Sequence, residues 1–167
     1  MSFRNRCQVA GAEGIINLSV PLEKGRDQKT LMKDVRIAGK APWQAQHWKT
    51  LLSCYSRSPW FEFYRDDLDV LYRQPVHFLL DWNLQCFEWA CRVLPLKIEV
   101  GLTESHIGTY DETTRVDWRG KIVPKNRAES PVIKYHQVFE ERIGFLPNLS
   151  ILDLLFCEGR AARSLLE

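Results

Sequence analysis

Along the first twenty positions of the chain apolar and polar residues alternate, and a period of two is the signature of a strand. Phe3, Asn5, Cys7 and Val9 share one side, and Arg4, Arg6 and Gln8 share the other. "GAEG" at 11–14 supplies a turn, after which Ile16, Leu18 and Val20 alternate along a return strand that stops at Pro21. Residues 3–20 are therefore predicted to form a β-hairpin. "EKGRDQKT" (23–30) reads as a polar loop, and "KDVRIA" offers a third short strand with Val35 and Ile37 on one face.

Beyond residue 40 the period lengthens to that of a helix. A first helix is predicted from Pro42 to about Ser56, with Trp48, Leu51, Leu52 and Tyr55 at helical spacing. Ser58 is the expected cap of a second helix, with Pro59 at the first helical position, where no N–H is needed. That helix buries Phe61, Tyr64, Leu68, Leu71 and Tyr72 and turns Asp66, Asp67 and Asp69 to water. A third, over about 76–94, places Val76, Leu80, Asn83, Phe87, Cys91 and Leu94 on one face, opposite Asp81, Gln85, Glu88 and Arg92.

Pro95 ends it, and "LKIEVGL" gives a strand with Ile98, Val100 and Leu102 on one side. Residues 103–134 show little periodicity and are broken by Gly108, Gly120, Pro124 and Pro131, a length that marks a functional or mobile loop. "NLSILDLLFCEG" is the last element, with Asn148 as its expected cap and Gly159 just past its end. The order of elements predicts an α/β fold. A small mixed sheet comes from strands 3–9, 15–20, 33–37 and 97–102, including the N-terminal hairpin, with helices packed on it.

Composition narrows the class without naming a function. A chain of 167 residues is expected to form a single domain over 1–167. A net charge of +2, with Lys and Arg scattered, gives no nucleic-acid stripe. No run approaches the ~18 apolar residues of a membrane span. The N-terminus lacks a signal-peptide core, so the expected location is cytoplasmic. Five cysteines, an odd number without C-x-x-C spacing, suit reduced and packed thiols.

Phosphate-loop, dinucleotide, serine-hydrolase and zinc-protease motifs are absent. The four histidines (His47, His77, His106, His136) lack ligand spacing, so no metal site is expected, and no cofactor is indicated. His47 lies beside the apolar stripe of the first helix, near Trp43, Thr50 and Cys54. It is either a general base or a histidine hydrogen-bonded at a helix flank. Asn83 sits on an apolar face, where an amide must find partners, either in a ligand or in a neighbouring loop.

Asp153 is the one acid in "LSILDLLFC", and a buried carboxylate requires a partner. The expected partner is an arginine, which Arg4 or Arg6 could supply, or a capped helix terminus. On a common strand face those two guanidinia lie roughly 7 Å apart. They either clamp a phosphate or carboxylate or form a solvated outer face. Trp43, Trp48, Trp60 and Trp82 read as core filling rather than a sugar-stacking platform.

Taken in order, "RNRC", "LSVPLEK", "APWQAQHWKTLLSCYSRSPWFEFY", "DWNLQ" and "FLPNLSILDLLFCEG" resemble the WbqC-like family of bacterial proteins. The resemblance implies an association with O-antigen and surface-polysaccharide genes. It also implies a transferase acting on a sugar or sugar-nucleotide acceptor, with glycine or another acyl group transferred. It points to Arg4, Asn5 and Arg6, then Trp43, His47, Trp48, Tyr55 and Asn83, and finally Asn148, Ser150 and Asp153. Members usually open with a segment rich in Gln, Pro and aromatics before the equivalent of Arg4, and longer ones carry a Gly-containing Tyr-Leu-Ser segment later. This sequence shows neither, so it is read as a short, N-terminally truncated member.

Three functional readings follow. A transferase uses Arg4 and Arg6 to bind an anionic small molecule such as a sugar nucleotide, with Trp43, Tyr55, Asn5, Asn83 and Asn148 completing the site. In it, His47 handles a proton with support from Asp153 or Asn83, which requires His47, Arg6 and Asp153 to converge. A non-enzymatic binding or assembly module of a glycan pathway requires an exposed apolar patch instead. An inactive truncated member is the third.

Overall fold

The computed structural model describes residues 3–24, 30–105, 107–111, 113–119, 121, 123 and 131–167. Most of the polar loop at 25–29, together with His106, Gly120 and Pro124, lies outside the described residues. The chain has a small α/β fold: a two-stranded antiparallel hairpin with helices packed around it.

Strand β1 (Arg6–Gly11) pairs with β2 (Gly14–Ser19) in the register Arg6↔Ser19 to Gly11↔Gly14. The alternation on β2 holds, with Leu18 buried while Ile15, Asn17 and Ser19 face water. A Cβ at Gly11 would lie 2.4 Å from the tip of the Ile16 side chain, which would have to shift to admit it. Strand β1 begins later than its pattern suggests. Residues 3–6 form a turn closed by the Arg6 N–H on the Phe3 carbonyl at 3.2 Å, so Arg4 and Arg6 do not share a strand face.

The segment at 33–37 starts as a 3₁₀ turn (Met32–Asp34) and then makes two antiparallel bridges, Leu22↔Ile37 and Arg36↔Phe78. Its backbone is laced on both sides, with Ala38 N donating to Pro21 O and Leu79 N to Val35 O, both at 2.9 Å. Residues 97–102 form no strand. Their alternation has no sheet to meet, and Ile98, Val100 and Leu102 are exposed.

Helix α1 (Trp43–Tyr55), α2 (Phe61–Arg73) and α3 (Leu79–Val93) follow the predicted order. Helix α2 buries Phe61, Tyr64, Leu68 and Tyr72 and exposes Asp66 and Asp67. The Ser58 hydroxyl does not cap α2. It donates back to the Tyr55 carbonyl at 2.8 Å and so satisfies the end of α1. Helix α3 is turned from its expected phase: Leu79, Trp82 and Trp89 are buried, whereas Phe87 is exposed. Asp81, Glu88 and Arg92 do face water, but Trp82 and Trp89 flank the expected apolar face, and the two large indoles bury more surface than Leu80 and Phe87.

Beyond the short α4 (Glu140–Ile143), helix α5 (Ile151–Glu158) packs against β1 and α2. Asp153, Leu154, Leu155 and Phe156 are all buried, so this helix is enclosed on most sides. Its cap is Ser150, whose hydroxyl accepts from Leu152 N, rather than Asn148, which lies before it in a left-handed conformation (φ 54°). Gly159 ends α5 with φ 58°, its N–H donating to the Leu155 carbonyl. A further 3₁₀ turn (Gly159–Ala161) and α6 (Ala162–Leu166) complete the chain.

Candidate functional site

The N-terminal turn is fixed by side-chain amides. Asn5 donates through Nδ2 to the Val20 carbonyl at 2.9 Å, while Val20 N donates to the Asn5 carbonyl at 2.8 Å. Asn83, from α3, donates to the Arg4 carbonyl at 2.9 Å. Two short, stiff side chains thereby hold the backbone between the guanidinia of Arg4 and Arg6.

Both arginines line a cavity of about 160 Å³ between the N-terminal turn, α2, α3, the start of α5 and His47 of α1. Of the predicted site residues, Arg4, Asn5, Arg6, His47, Asn83 and Ser150 line it. Trp43, Trp48, Tyr55, Asn148 and Asp153 do not. Among the described lining residues Arg4 and Arg6 are cationic and none is Asp or Glu. The inner wall is aromatic and aliphatic, with Tyr72, Trp82, Trp89 and Leu68.

His47 is buried, and its Nε2 lies 3.2 Å from the Ser19 carbonyl. A carbonyl only accepts, so Nε2 carries the proton in that contact and Nδ1 is the lone-pair nitrogen of the neutral ring. Burial pushes its pKa below the ordinary 6.5, with the Ser19 contact opposing the shift. At neutral pH the imidazole is a base. Trp43 serves this residue from outside the cavity, edge-on to it at 5.2 Å and to Trp82 at 4.9 Å.

Two thiols also face the cavity, from Cys7 and Cys86. Burial pushes Cys7 up to about 11, against a hydrogen bond to Ser150, and Cys86 up to about 12. Both are thiols rather than thiolates at neutral pH, which makes them poor nucleophiles. They are apolar lining.

Asp153 belongs to a separate buried cluster. Its Oδ1 accepts from the Tyr55 hydroxyl at 2.5 Å and its Oδ2 from the Tyr135 hydroxyl at 2.8 Å. The Tyr55 oxygen in turn accepts from Ala10 N at 2.8 Å, which locks α1, β1 and α5 together. The expected arginine partner is therefore replaced by two phenols. Burial raises the Asp153 pKa while the tyrosine hydrogen bonds resist the rise. Burial and the adjacent carboxyl raise both tyrosines, and Cys157 is pushed up to about 12 by the same two causes.

Sequence reading passed over Tyr135 and Gln137 because they border the aperiodic stretch. A signal existed. Ile133, Tyr135 and Gln137 are inward in turn while Val132, Lys134 and His136 are exposed, an extended pattern of period two. Gln137 is almost fully buried and its amide pairs twice with the backbone of Leu146, as donor and as acceptor, both at 2.8 Å. Among the described residues no group of His, Cys, Asp and Glu side chains is placed to hold a metal ion.

Most of the described lining of the cavity falls in the part of the chain that comparison recognises. A model of the WbqC-like protein family matches residues 1–132, while no curated protein and no solved structure matches the chain. The matched span contains five of the six predicted residues that line the cavity, while Ser150, which lines it, and Asn148 and Asp153, which do not, lie beyond it. With most of its length covered in this way, the chain belongs to the WbqC-like protein family.

Proposed function

We propose that this chain binds the anionic group of a small activated molecule between Arg4 and Arg6, and that His47 accepts a proton during transfer of a group to or from it. The observation that carries the reading is a cavity with two guanidinia and no carboxylate in its described lining, beside a neutral imidazole. Guanidinium forks match phosphate and carboxylate oxygens, and a dehydrated site strengthens that attraction. Size limits what enters. Pockets for drug-sized ligands run to about 300–1,000 Å³. At about 160 Å³, this one takes the anionic end of a sugar nucleotide and not the whole molecule. Family membership agrees with a cytoplasmic transferase that places glycine or another acyl group on a sugar in surface-polysaccharide synthesis.

The convergence expected of a transferase is met only in part: His47 and Arg6 line one cavity, whereas Asp153 lies outside it with both oxygens committed to tyrosines and has no place in this chemistry. Asn83 acts by holding the Arg4 backbone. The test is a thermal-shift titration with sugar nucleotides and inorganic phosphate on the intact chain and on Arg6→Ala. Ligand at 100 times its Kd adds about 2.7 kcal/mol of stability. A shift that disappears in Arg6→Ala, together with turnover lost in His47→Gln while binding persists, is the expected outcome. No shift with any anion sinks the proposal.

A second reading, a non-enzymatic assembly module, draws on exposed apolar side chains. Phe63 and Val70 on α2 are 58% and 57% exposed. In that case Phe63→Ser and Val70→Ser abolish partner capture, while Arg6→Ala does not.

A further inference from the structure

Among the described residues, Arg4 is the one shared by the anion cavity and a second cavity of about 280 Å³. The second is chemically different. Its apolar contribution is the buried Val35 and half-buried Leu22, while Glu23, Lys24, Asp34 and Arg36 line it from exposed positions. Among its described lining residues, and apart from Arg4, two carboxylates offset two cations.

The side chains stand on a fixed backbone. Glu23 N donates to the Arg36 carbonyl at 3.1 Å, and Asp34 N donates to Leu31 O at 2.9 Å. The Arg36 guanidinium is placed over the Phe78 ring at 4.8 Å.

With Glu23 and Asp34 set against Lys24 and Arg36, the described lining offers a second anionic group no cationic excess beyond the Arg4 that it shares with the anion cavity. A neutral body rich in hydroxyls meets acceptors in those carboxylates, donors in Lys24 and Arg36, and an apolar surface for its C–H face. The volume suits such a body, being about nine times the ~30 Å³ that a water molecule occupies in the liquid. Resting on the anion site proposed above, we infer that the second cavity is a subsite for the hydroxylated body of the ligand. The ligand class is a phosphate ester of a polyol, lying across Arg4 with its phosphate toward Arg6 and its hydroxyls toward Glu23 and Asp34.

The experiment is calorimetric titration of the full chain with inorganic phosphate, glucose 1-phosphate and glucose. It is repeated on the double variant Glu23→Gln with Asp34→Asn, whose exposed positions leave the fold intact, as circular dichroism checks. Two charge-assisted hydrogen bonds predict that glucose 1-phosphate binds at least about tenfold more tightly than phosphate. The double variant is expected to lose that increment and to hold phosphate at least as tightly as before. Equal affinities, or an increment that survives the double substitution, overturn the subsite and leave the anion site standing. Binding of neither phosphate nor glucose 1-phosphate overturns the anion site, and this inference with it.

Discussion

Asp153 shows how a carboxylate is buried without a cation. Each tyrosine hydroxyl supplies one donor, and Tyr55 also receives the Ala10 amide. Removing the Tyr55 hydroxyl leaves a buried carboxylate oxygen and a buried N–H short of a partner, a loss of about 1–3 kcal/mol. Urea denaturation of Tyr55→Phe is expected to show a loss of that size, and a change under ~0.5 kcal/mol would contradict the role assigned here. His47 makes a different prediction. Its folded pKa lies below the ordinary 6.5, so the stability it contributes is present above 6.5 and is lost as pH falls through the lowered value. His47→Gln keeps a donor for the Ser19 carbonyl and removes the titration. The difference in unfolding free energy between wild type and variant should therefore shift against the wild type on going from pH 7 to about pH 5. A constant difference would show that the ring does not titrate as described.

Among the elements, the junction of α5 with the start of α2 is the least tolerant of change. Gly159 has φ 58°, and a Cβ there would lie 2.3 Å from the Trp60 ring, while Trp60 N donates to the Phe156 carbonyl at 3.0 Å. Conformation and space both demand glycine, so Gly159→Ala is expected to cost more than about 1 kcal/mol and to lower Tm. An unchanged Tm would remove both reasons. Gly159 was legible as a helix end because glycine past an apolar run has one common use. The hairpin was legible through strict alternation around "GAEG", and the buried stripe of α2 through its spacing. Ser58 misled, since a hydroxyl between two helices can serve either, and the nearer unsatisfied carbonyl at Tyr55 took it. The alternation at Ile98, Val100 and Leu102 misled for another reason: a strand exists only where another strand receives it. The same holds for the site. Arginine, histidine and asparagine announced themselves by type, but their meeting in one cavity, and the exclusion of Asp153 from it, depend on long-range packing.

At the scale of the molecule, the thiols and phenols of the interior share one direction, opposite to that of His47. Cys7 is pushed up to about 11 and Cys86 and Cys157 to about 12, against an ordinary 9.0, and Tyr55, Tyr72 and Tyr135 stand above their ordinary 10.0. A folded pKa above the unfolded one gives stability that is whole below the unfolded value and is lost as pH rises toward the folded value. The loss therefore starts near pH 9 with the thiols and steepens above 10 with the tyrosines. Midpoints of urea unfolding, measured at pH 7, 9 and 11, should fall little over the first interval and sharply over the second. A flat profile would mean that these groups are open to water.

The two-stranded sheet has a further property that follows from its borders. On β1 the Gln8 carbonyl and the Ala10 N–H, the groups a third strand would need, already bond Ser150 N at 2.7 Å and the Tyr55 hydroxyl at 2.8 Å. On β2 the Ser19 carbonyl meets His47. A short sheet with open flanks is a template on which other chains polymerise. Here α5 and α1 occupy the flank of β1, and His47 pins one end of the other. Recruitment of another chain into this sheet is confined to the outer side of β2 near its turn, so resistance to fibrillar assembly is built from the same contacts that hold the helices in place.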